Sequence, residues 1–170
     1  MPAGALKGRE TALSFEEFYR QEFPRMVTLA ALVSNSSAMA EDVAQDALLK
    51  AEQNWDTVRQ YEWPGAWLRR VTINMASKRL RRARAEAAAL LRLGPPPPVI
   101  RSGPEELDRV MAAIRQLPKH QRAVVVLVYL EDRSVKDVAE ILGCAEGTAK
   151  AHLFRARTRL ATILSEEDSR

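Results

Sequence analysis

The stretch SVKDVAEILGCAEGTAKAHLFRARTRL, residues 134–160, decides the fold of the second half of the chain. Apolar residues at helical spacing give its first segment a single buried face, and Gly143 suits the left-handed conformation at which many helices end. A second apolar stripe follows at i, i+4, i+7 and i+11: Ala149, Leu153, Ala156 and Leu160. Two helices joined by a glycine-containing turn predict a helix-turn-helix, whose second helix enters the DNA major groove.

The second helix of this motif carries cations on its outward side. At about 100° per residue, Ala151, Arg155 and Thr158 lie opposite the apolar stripe, and basic residues lie on both flanks. A central arginine suits a guanine edge, whereas flanking cations suit phosphates. The alternative is a three-helix core with a solvated basic face.

The rest of the chain also predicts helices. Ser14 followed by Glu17 is a capping-box pattern, and Pro64 suits the first turn of a helix that continues beyond Trp67. The run 123–129, AVVVLVY, is ambiguous because β-branched residues favour strands. We interpret it as a buried helix, since Pro118 opens it and no neighbouring segment offers a strand partner. The expected fold class is therefore all-α.

A proline-rich segment divides the chain into two small helical domains. Residues 94–104, GPPPPVIRSGP, cannot continue a helix because proline lacks the amide hydrogen and clashes with the preceding turn. We expect an N-terminal tail at 1–13, a first domain at 14–93 and a second domain at 105–166. Counted from Ala85 to Pro104, the connection would reach at most about 65–70 Å.

Charge is distributed unevenly along the chain. The net charge of +4 comes from 26 Lys+Arg against 22 Asp+Glu and says little about partners. Residues 10–62 hold four basic and ten acidic side chains, whereas residues 67–92 hold eight basic side chains and one acid, Glu86. A further basic cluster lies within 147–160. Two basic patches on helices are typical of a protein that neutralises phosphates.

Composition and motifs exclude several classes of function. The single cysteine excludes a disulfide framework, and no apolar run is long enough to insert into a membrane. We therefore expect a cytoplasmic protein. No phosphate-binding loop, HExxH motif or Ser/His/Asp set is present, and His120 and His152 lie far apart in sequence. The expectation is a non-enzyme with no cofactor and no metal site.

Three segments of the sequence resemble motifs of one family, in the family's order. Residues 40–51, AEDVAQDALLKA, resemble the region 2 helix of extracytoplasmic-function (group 4) sigma factors of bacterial RNA polymerase. Residues 67–82, WLRRVTINMASKRLRR, are similar to that family's next helix, which faces the promoter −10 element. The segments 117–122, LPKHQR, and 146–150, EGTAK, together with the RAR of 155–157, are similar to its region 4.

The resemblance implies a sigma factor that directs promoter-specific initiation by binding core polymerase and two promoter elements. Asp42, Gln45 and Asp46 fall in the motif that docks on the β′ clamp helices, and Asn74 falls where the family holds a flipped −10 base. The second domain would also contact the β flap. The residues implied for the −10 element are Tyr61, Trp63, Asn74, Lys78, Arg79, Arg81 and Arg82. Those implied for the −35 element are Thr148, Lys150, Ala151, His152, Arg155 and Arg159.

The resemblance also implies a regulatory partner and leaves one alternative function. An anti-sigma factor becomes a candidate partner, because many members of the family are held by one. The alternative function is a helix-turn-helix regulator of response-regulator type, which binds duplex DNA without core polymerase. The chain departs from the family pattern at Lys78, Ala149, Ala151 and His152, so the family's promoter sequence preferences are not carried over.

Overall fold

The protein is described by a computed structural model over residues 13–90 and 105–168. Every regular element within these two ranges is helical, which confirms the all-α prediction. No helix in these ranges is long and apolar enough to cross a membrane. The predicted linker, 94–104, and the predicted tail as far as residue 12 lie outside the described residues.

The first helical group packs four helices together. Ser14 caps its first helix through the predicted capping box with Glu17, and Asn35 ends that helix in the left-handed conformation at φ 57°. The fourth helix begins at Pro64, as predicted, but it continues past Ala85, so the reach estimated for the connection was too long. The four helices are α1 (Phe15–Ser34), α2 (Ser37–Gln53), α3 (Trp55–Val58) and α4 (Pro64–Leu90).

The second helical group contains the ambiguous β-branched run. This run is helical, as predicted: a helix that begins at Lys119 continues directly into a π-helical turn after Val125, and the side chains of the run are buried as far as Leu127. Tyr129 lies on the outer side of that turn and is 53% exposed, so burial does not extend to the end of the run. The helices are α5 (Glu105–Arg115), α6 (Lys119–Val125, with the π turn Val126–Leu130), α7 (Val135–Leu142) and α8 (Glu146–Asp168).

Helices α7 and α8 form the predicted helix-turn-helix. Gly143 has φ 67° and ends α7, and its amide bonds back to the Glu140 carbonyl. Helix α8 begins at Glu146, two residues before the predicted start. Its apolar stripe packs inward, with Ala149 and Ala156 fully buried. This arrangement leaves the opposite face of α8 open to solvent.

The two helical groups pack against each other around a buried arginine. The Arg69 side chain is fully buried; its Nη1 lies 3.0 Å from Glu22 Oε2 of α1, and its Nε donates to Glu131 Oε2 at 2.5 Å. A Cβ added to Gly65 would approach Arg69 Nη1 to 2.9 Å, so the glycine leaves room for the guanidinium. Arg69 belongs to the basic segment 67–92, whose side chains were expected to neutralise phosphates. For Arg69 that interpretation is wrong, because the side chain is buried between two carboxylates. The sequence did not indicate this burial, since both carboxylates lie far from Arg69 along the chain.

Two more arginines connect the groups through helix C-termini. Arg70 donates from Nε to the Ile141 carbonyl at 2.8 Å and from Nη2 to the Glu140 carbonyl at 2.5 Å, at the end of α7. Arg122 donates from Nη1 to the Val33 carbonyl at 2.8 Å, at the end of α1. Cations are favoured at these positions because the last carbonyls of a helix lack intrahelical partners and carry partial negative charge.

Candidate nucleic-acid and partner interfaces

Helix α2 presents the polar face predicted to bind the polymerase. Asp42 and Gln45 are exposed, and the Asp46 side chain is 46% exposed, while Val43 and Ala47 face the core. Spacings of three and four residues bring the three predicted side chains to one side of the helix. The exposed Leu49, which the sequence analysis missed, extends this face. A cavity of about 320 Å³ adjoins it, lined by Phe15, Tyr19, Gln45, Asp46, Leu49 and Glu52.

Helix α4 carries most of the residues predicted for the −10 element. Lys78, Arg81 and Arg82 are exposed, and Arg82 Nε lies 2.9 Å from Glu86 Oε1 on the same helix. These side chains form a basic outer surface along the second half of α4. Such a surface can follow a nucleic-acid backbone by neutralising phosphates.

Asn74 is also exposed on α4, but the second helical group already contacts it. Lys119 Nζ at the start of α6 donates to Asn74 Oδ1 at 3.3 Å. Burial, followed by the charge of Arg81, lowers the pKa of Lys119. A DNA base that uses the Asn74 amide oxygen in this arrangement must displace the lysine.

Arg79 differs from the other predicted −10 residues because it turns towards α2. Its Nη2 hydrogen-bonds Asp46 Oδ2, and its Nη1 lies 3.8 Å from Asp42 Oδ2. The structure therefore brings together residues that the sequence analysis placed in two different interfaces. Sequence spacing could not have shown this, because the pairing depends on how α4 packs across α2.

The two aromatic side chains that precede α4 have different surroundings. Tyr61 is 43% exposed, so its ring is open to solvent. Trp63 is half-buried, and the Arg133 guanidinium lies over its ring, 5.0 Å from the centroid. Of these two, Tyr61 is the ring on which a base can stack without a rearrangement.

Helix α8 places four of the predicted −35 residues in solvent: Thr148, Lys150, Arg155 and Arg159 are exposed. Lys150 Nζ forms a 2.7 Å ion pair with Glu146 Oε1 one turn earlier. Lys150 also lowers the pKa of Glu146, chiefly through their side-chain hydrogen bond. An HTH recognition helix enters the major groove with its N-terminal part, and Thr148 and Lys150 lie in the first two turns of α8.

His152 and Ala151 are partly buried, which distinguishes them from the other predicted −35 residues. The His152 ring stacks on that of His120 of α6, with the centroids 5.5 Å apart and the planes inclined by 21°. Burial, then the charges of Lys119 and His152, lowers the pKa of His120. The two histidines, far apart in sequence, therefore meet at the junction of α6 and α8. Within the described residues, no group of three or more potential ligands could hold a metal ion.

One prominent side chain on α8 was not predicted from the sequence. Phe154 is 72% exposed, next to Arg155 on the outward face. The sequence signal for it was a large apolar residue outside the apolar stripe of the helix, three residues after the outward-facing Ala151. Phe154 lines a groove of about 660 Å³ with Gln116, Gln121, Arg155, Thr158, Arg159, Thr162, Ile163 and Glu166.

Comparisons with known proteins agree with this geometry. Residues 18–86 match the family model for sigma-70 region 2, and residues 107–160 match the model for sigma-70, region 4. These two matches define the class: a sigma-70-type protein with a helix-turn-helix region 4 following region 2. The match to region 2, which spans α1 to α4, excludes the response-regulator alternative.

Individual relatives narrow the class further. The chain is 37% identical over 151 residues to the ECF RNA polymerase sigma factor SigM of Mycobacterium tuberculosis H37Rv, covering 89% of this chain and 77% of SigM. It is 32% identical over 158 residues to the RNA polymerase sigma-E factor of Streptomyces coelicolor, covering 92% and 89%. The chain belongs to the extracytoplasmic-function sigma factors of the sigma-70 family, and it directs transcription initiation as a non-catalytic subunit of RNA polymerase.

A solved structure shares the arrangement of the helices. The sigma factor RpoE of Bartonella quintana, crystallised with the anti-sigma factor NepR, superposes with a TM-score of 0.72 at 28% identity. The match covers 89% of this chain and 96% of that chain. The likeness therefore includes both helical groups.

Proposed function

We propose that the two helical groups divide the work of promoter recognition. In this proposal residues 14–93 bind core polymerase and the melted −10 strand, and residues 105–166 bind the −35 duplex and the β flap. Residues 94–104 connect them, and residues 1–13 are a tail without an assigned contact. The observation that carries the proposal is the separation of exposed charge, acidic on α2 and basic on the outer surfaces of α4 and α8.

The acidic face of α2 is the proposed contact to the β′ clamp helices. Asp42, Gln45 and Asp46 offer two carboxylates and an amide on one side of a helix. Complementary charge accelerates the encounter with a basic partner and fixes its register. Leu49 beside them adds apolar area that the partner can cover.

The proposed −10 contact combines a polar group, an aromatic ring and cations. Asn74 can pair with the edge of an unstacked base, and Tyr61 can stack on it, which offsets the cost of unstacking. Lys78, Arg81 and Arg82 lie exposed on the same helix as Asn74 and can follow the strand's phosphates. Trp63 would flank the captured base through the portion of its ring that Arg133 leaves uncovered.

The proposed −35 contact uses the outward face of α8. Arg155 suits a guanine edge, whereas Lys150 and Arg159 suit phosphates on the two sides of the groove. Thr148 lies at the start of the helix, and Ala151 and His152 lie beside it with less exposed surface.

Two further assignments follow from the relatives. We propose an anti-sigma factor as a regulatory partner, because RpoE of Bartonella quintana, which has the same helical arrangement, was crystallised with one. We also propose that the protein acts in the cytoplasm, where core polymerase and promoter DNA are found.

Reconstituted transcription tests the proposal. Purified chain added to core polymerase should start run-off transcription at a promoter that core alone does not use.

Arg155→Ala should weaken discrimination between the promoter and one with a substituted −35 guanine by about 1–3 kcal/mol. Lys150→Ala should instead reduce the salt dependence of promoter binding by about one unit of slope. Unaltered −35 discrimination in Arg155→Ala would contradict the assignment.

A further inference from the structure

A cation predicted to bind DNA is paired with the two anions predicted to bind the polymerase. Arg79 lies on α4, and its guanidinium reaches Asp46 by a hydrogen bond and Asp42 at 3.8 Å, both on α2. The Arg79 side chain is 33% exposed, compared with 46% for Asp46 and 71% for Asp42. All three groups therefore remain within reach of a partner from solvent.

The other cations on the second half of α4 are not arranged in this way. Among the residues that the structure describes, Arg82 pairs with Glu86 on its own helix, and both side chains are mostly exposed. Lys78 and Arg81 extend into solvent. Arg79 differs because it lies three residues after the buried Ala76, on the edge of α4 that faces α2.

We propose that Arg79 couples polymerase binding to capture of the −10 strand, and this inference rests on the proposed function. In the free protein the Arg79 guanidinium is paired with the Asp46 carboxylate and partly neutralises Asp42. A basic polymerase surface must therefore compete with Arg79 for these two carboxylates. The same pairing keeps Arg79 from the phosphates of a bound strand. Once a basic surface of the polymerase binds the two carboxylates, Arg79 is free to contact the phosphates of the −10 strand.

Thermodynamic linkage gives this arrangement a measurable consequence. Each ligand removes the pairing that opposes the other, so core polymerase and −10 DNA bind with positive cooperativity, and the effect is the same in both directions. The coupling is modest, since an exposed ion pair contributes at most about 1 kcal/mol, equivalent to about a fivefold change in affinity. It can be measured as the ratio of strand affinities with and without core polymerase.

Arg79→Gln tests the competition with the polymerase. The full chain carrying this variant should bind core polymerase, without DNA, about two- to fivefold more tightly than the unsubstituted chain. The matched control is Arg20→Gln, which removes the same charge from an exposed ion pair with Glu16 on the same helical group. Unchanged or weaker binding of Arg79→Gln would overturn the inference, as would an equal gain in the control.

Asp46→Asn, combined with Arg79→Gln, separates this inference from the proposed function. Asp46→Asn should lower core affinity more in the Arg79→Gln background than alone, because the carboxylate there has no internal competitor. Equal losses in both backgrounds would overturn the inference and leave the polymerase surface intact. If Asp46→Asn leaves core affinity unchanged in both backgrounds, the proposed polymerase surface fails as well.

The effect of Arg79 on DNA binding is measured with a fluorescent single-stranded −10 oligonucleotide, whose affinity is determined for the free chain and for the polymerase-bound chain. Arg79→Gln should weaken its binding to the polymerase-bound chain, where the arginine is released, more than its binding to the free chain, where Asp46 holds the arginine. The ratio of the two affinities should therefore fall about two- to fivefold. An unaltered ratio would show that Arg79 does not link the two partners.

Discussion

Arg69 illustrates how its surroundings decide what a charged side chain does. It stands directly before another arginine, Arg70, in the sequence, yet its side chain is completely buried between Glu22 and Glu131. A guanidinium in such a site compensates for its lost hydration only through these carboxylates and the Gly65 carbonyl, which accepts from its Nη1 at 3.1 Å. Its role is therefore structural, because a fully buried side chain is not available to contact DNA.

Replacing Arg69 should cost more stability than replacing any exposed arginine. Arg69→Met leaves two nearly buried carboxylates without their shared cation, and we expect a loss of about 3–5 kcal/mol in the free energy of unfolding. Urea unfolding measures it, with Arg20→Met as the control on an exposed ion pair. A loss no larger than that of the control would contradict the account of this site.

His120 should make stability depend on pH. Its pKa is lowered in the folded chain, chiefly by burial, so the unfolded chain binds the proton more readily. Stability is then fully present above the unfolded pKa of about 6.5 and is lost as pH falls through the folded pKa. Thermal unfolding between pH 7.5 and 5 should show this loss of stability. The His120→Gln variant should lose less stability than the unsubstituted chain over the same pH range. An identical pH profile for the variant would contradict the prediction.

At the scale of elements, the turn between α7 and α8 sets the orientation of the recognition helix. Gly143 ends α7 at φ 67°, and Arg70 packs against it from α4, with its guanidinium carbon 3.3 Å from the position of an added Cβ. Gly147 near the start of α8 has nothing within 4 Å of that position. The glycine that ends α7 and the glycine in the first turn of α8 therefore have different constraints.

This difference gives a matched pair of variants. Gly143→Ala should destabilise the protein by about 1–2 kcal/mol, because an L residue is strained in the left-handed region. Gly147→Ala should be neutral or slightly stabilising, since alanine is favoured in a helix. Chemical unfolding of both variants provides the comparison. An equal loss in both would show that the turn is not the constrained element.

Local features of the elements could be predicted from the sequence, whereas contacts between distant elements could not. The Ser14 capping box, the Gly143 helix end and the inward stripe of α8 follow from residue types and short spacings. The burial of Arg69 and the pairing of Arg79 with α2 depend on partners at least 33 residues away along the chain. The proposed site was therefore predicted as a set of residues, without the ion pairs that connect them.

In the whole molecule, the two helical groups form one packed unit. Arg69, Arg70 and Arg122 connect them, and Lys119 lies on Asn74 in the proposed −10 surface. The net charge of +4 results from an acidic α2 face, an outer basic surface on α4 and a basic face on α8. In the proposed function, a −10 base that pairs with the Asn74 amide oxygen displaces the hydrogen bond from Lys119 Nζ.

The division of partners between the two groups is the central claim, and Asp42→Arg tests it most directly. The variant places a cation where a basic polymerase surface is proposed to bind, and like charges in contact cost several kcal/mol. The affinity of the full chain for core polymerase should fall by more than about tenfold, whereas its affinity for a −35 duplex should stay within about twofold. Equal losses of both affinities, or an unchanged affinity for core polymerase, would contradict the account.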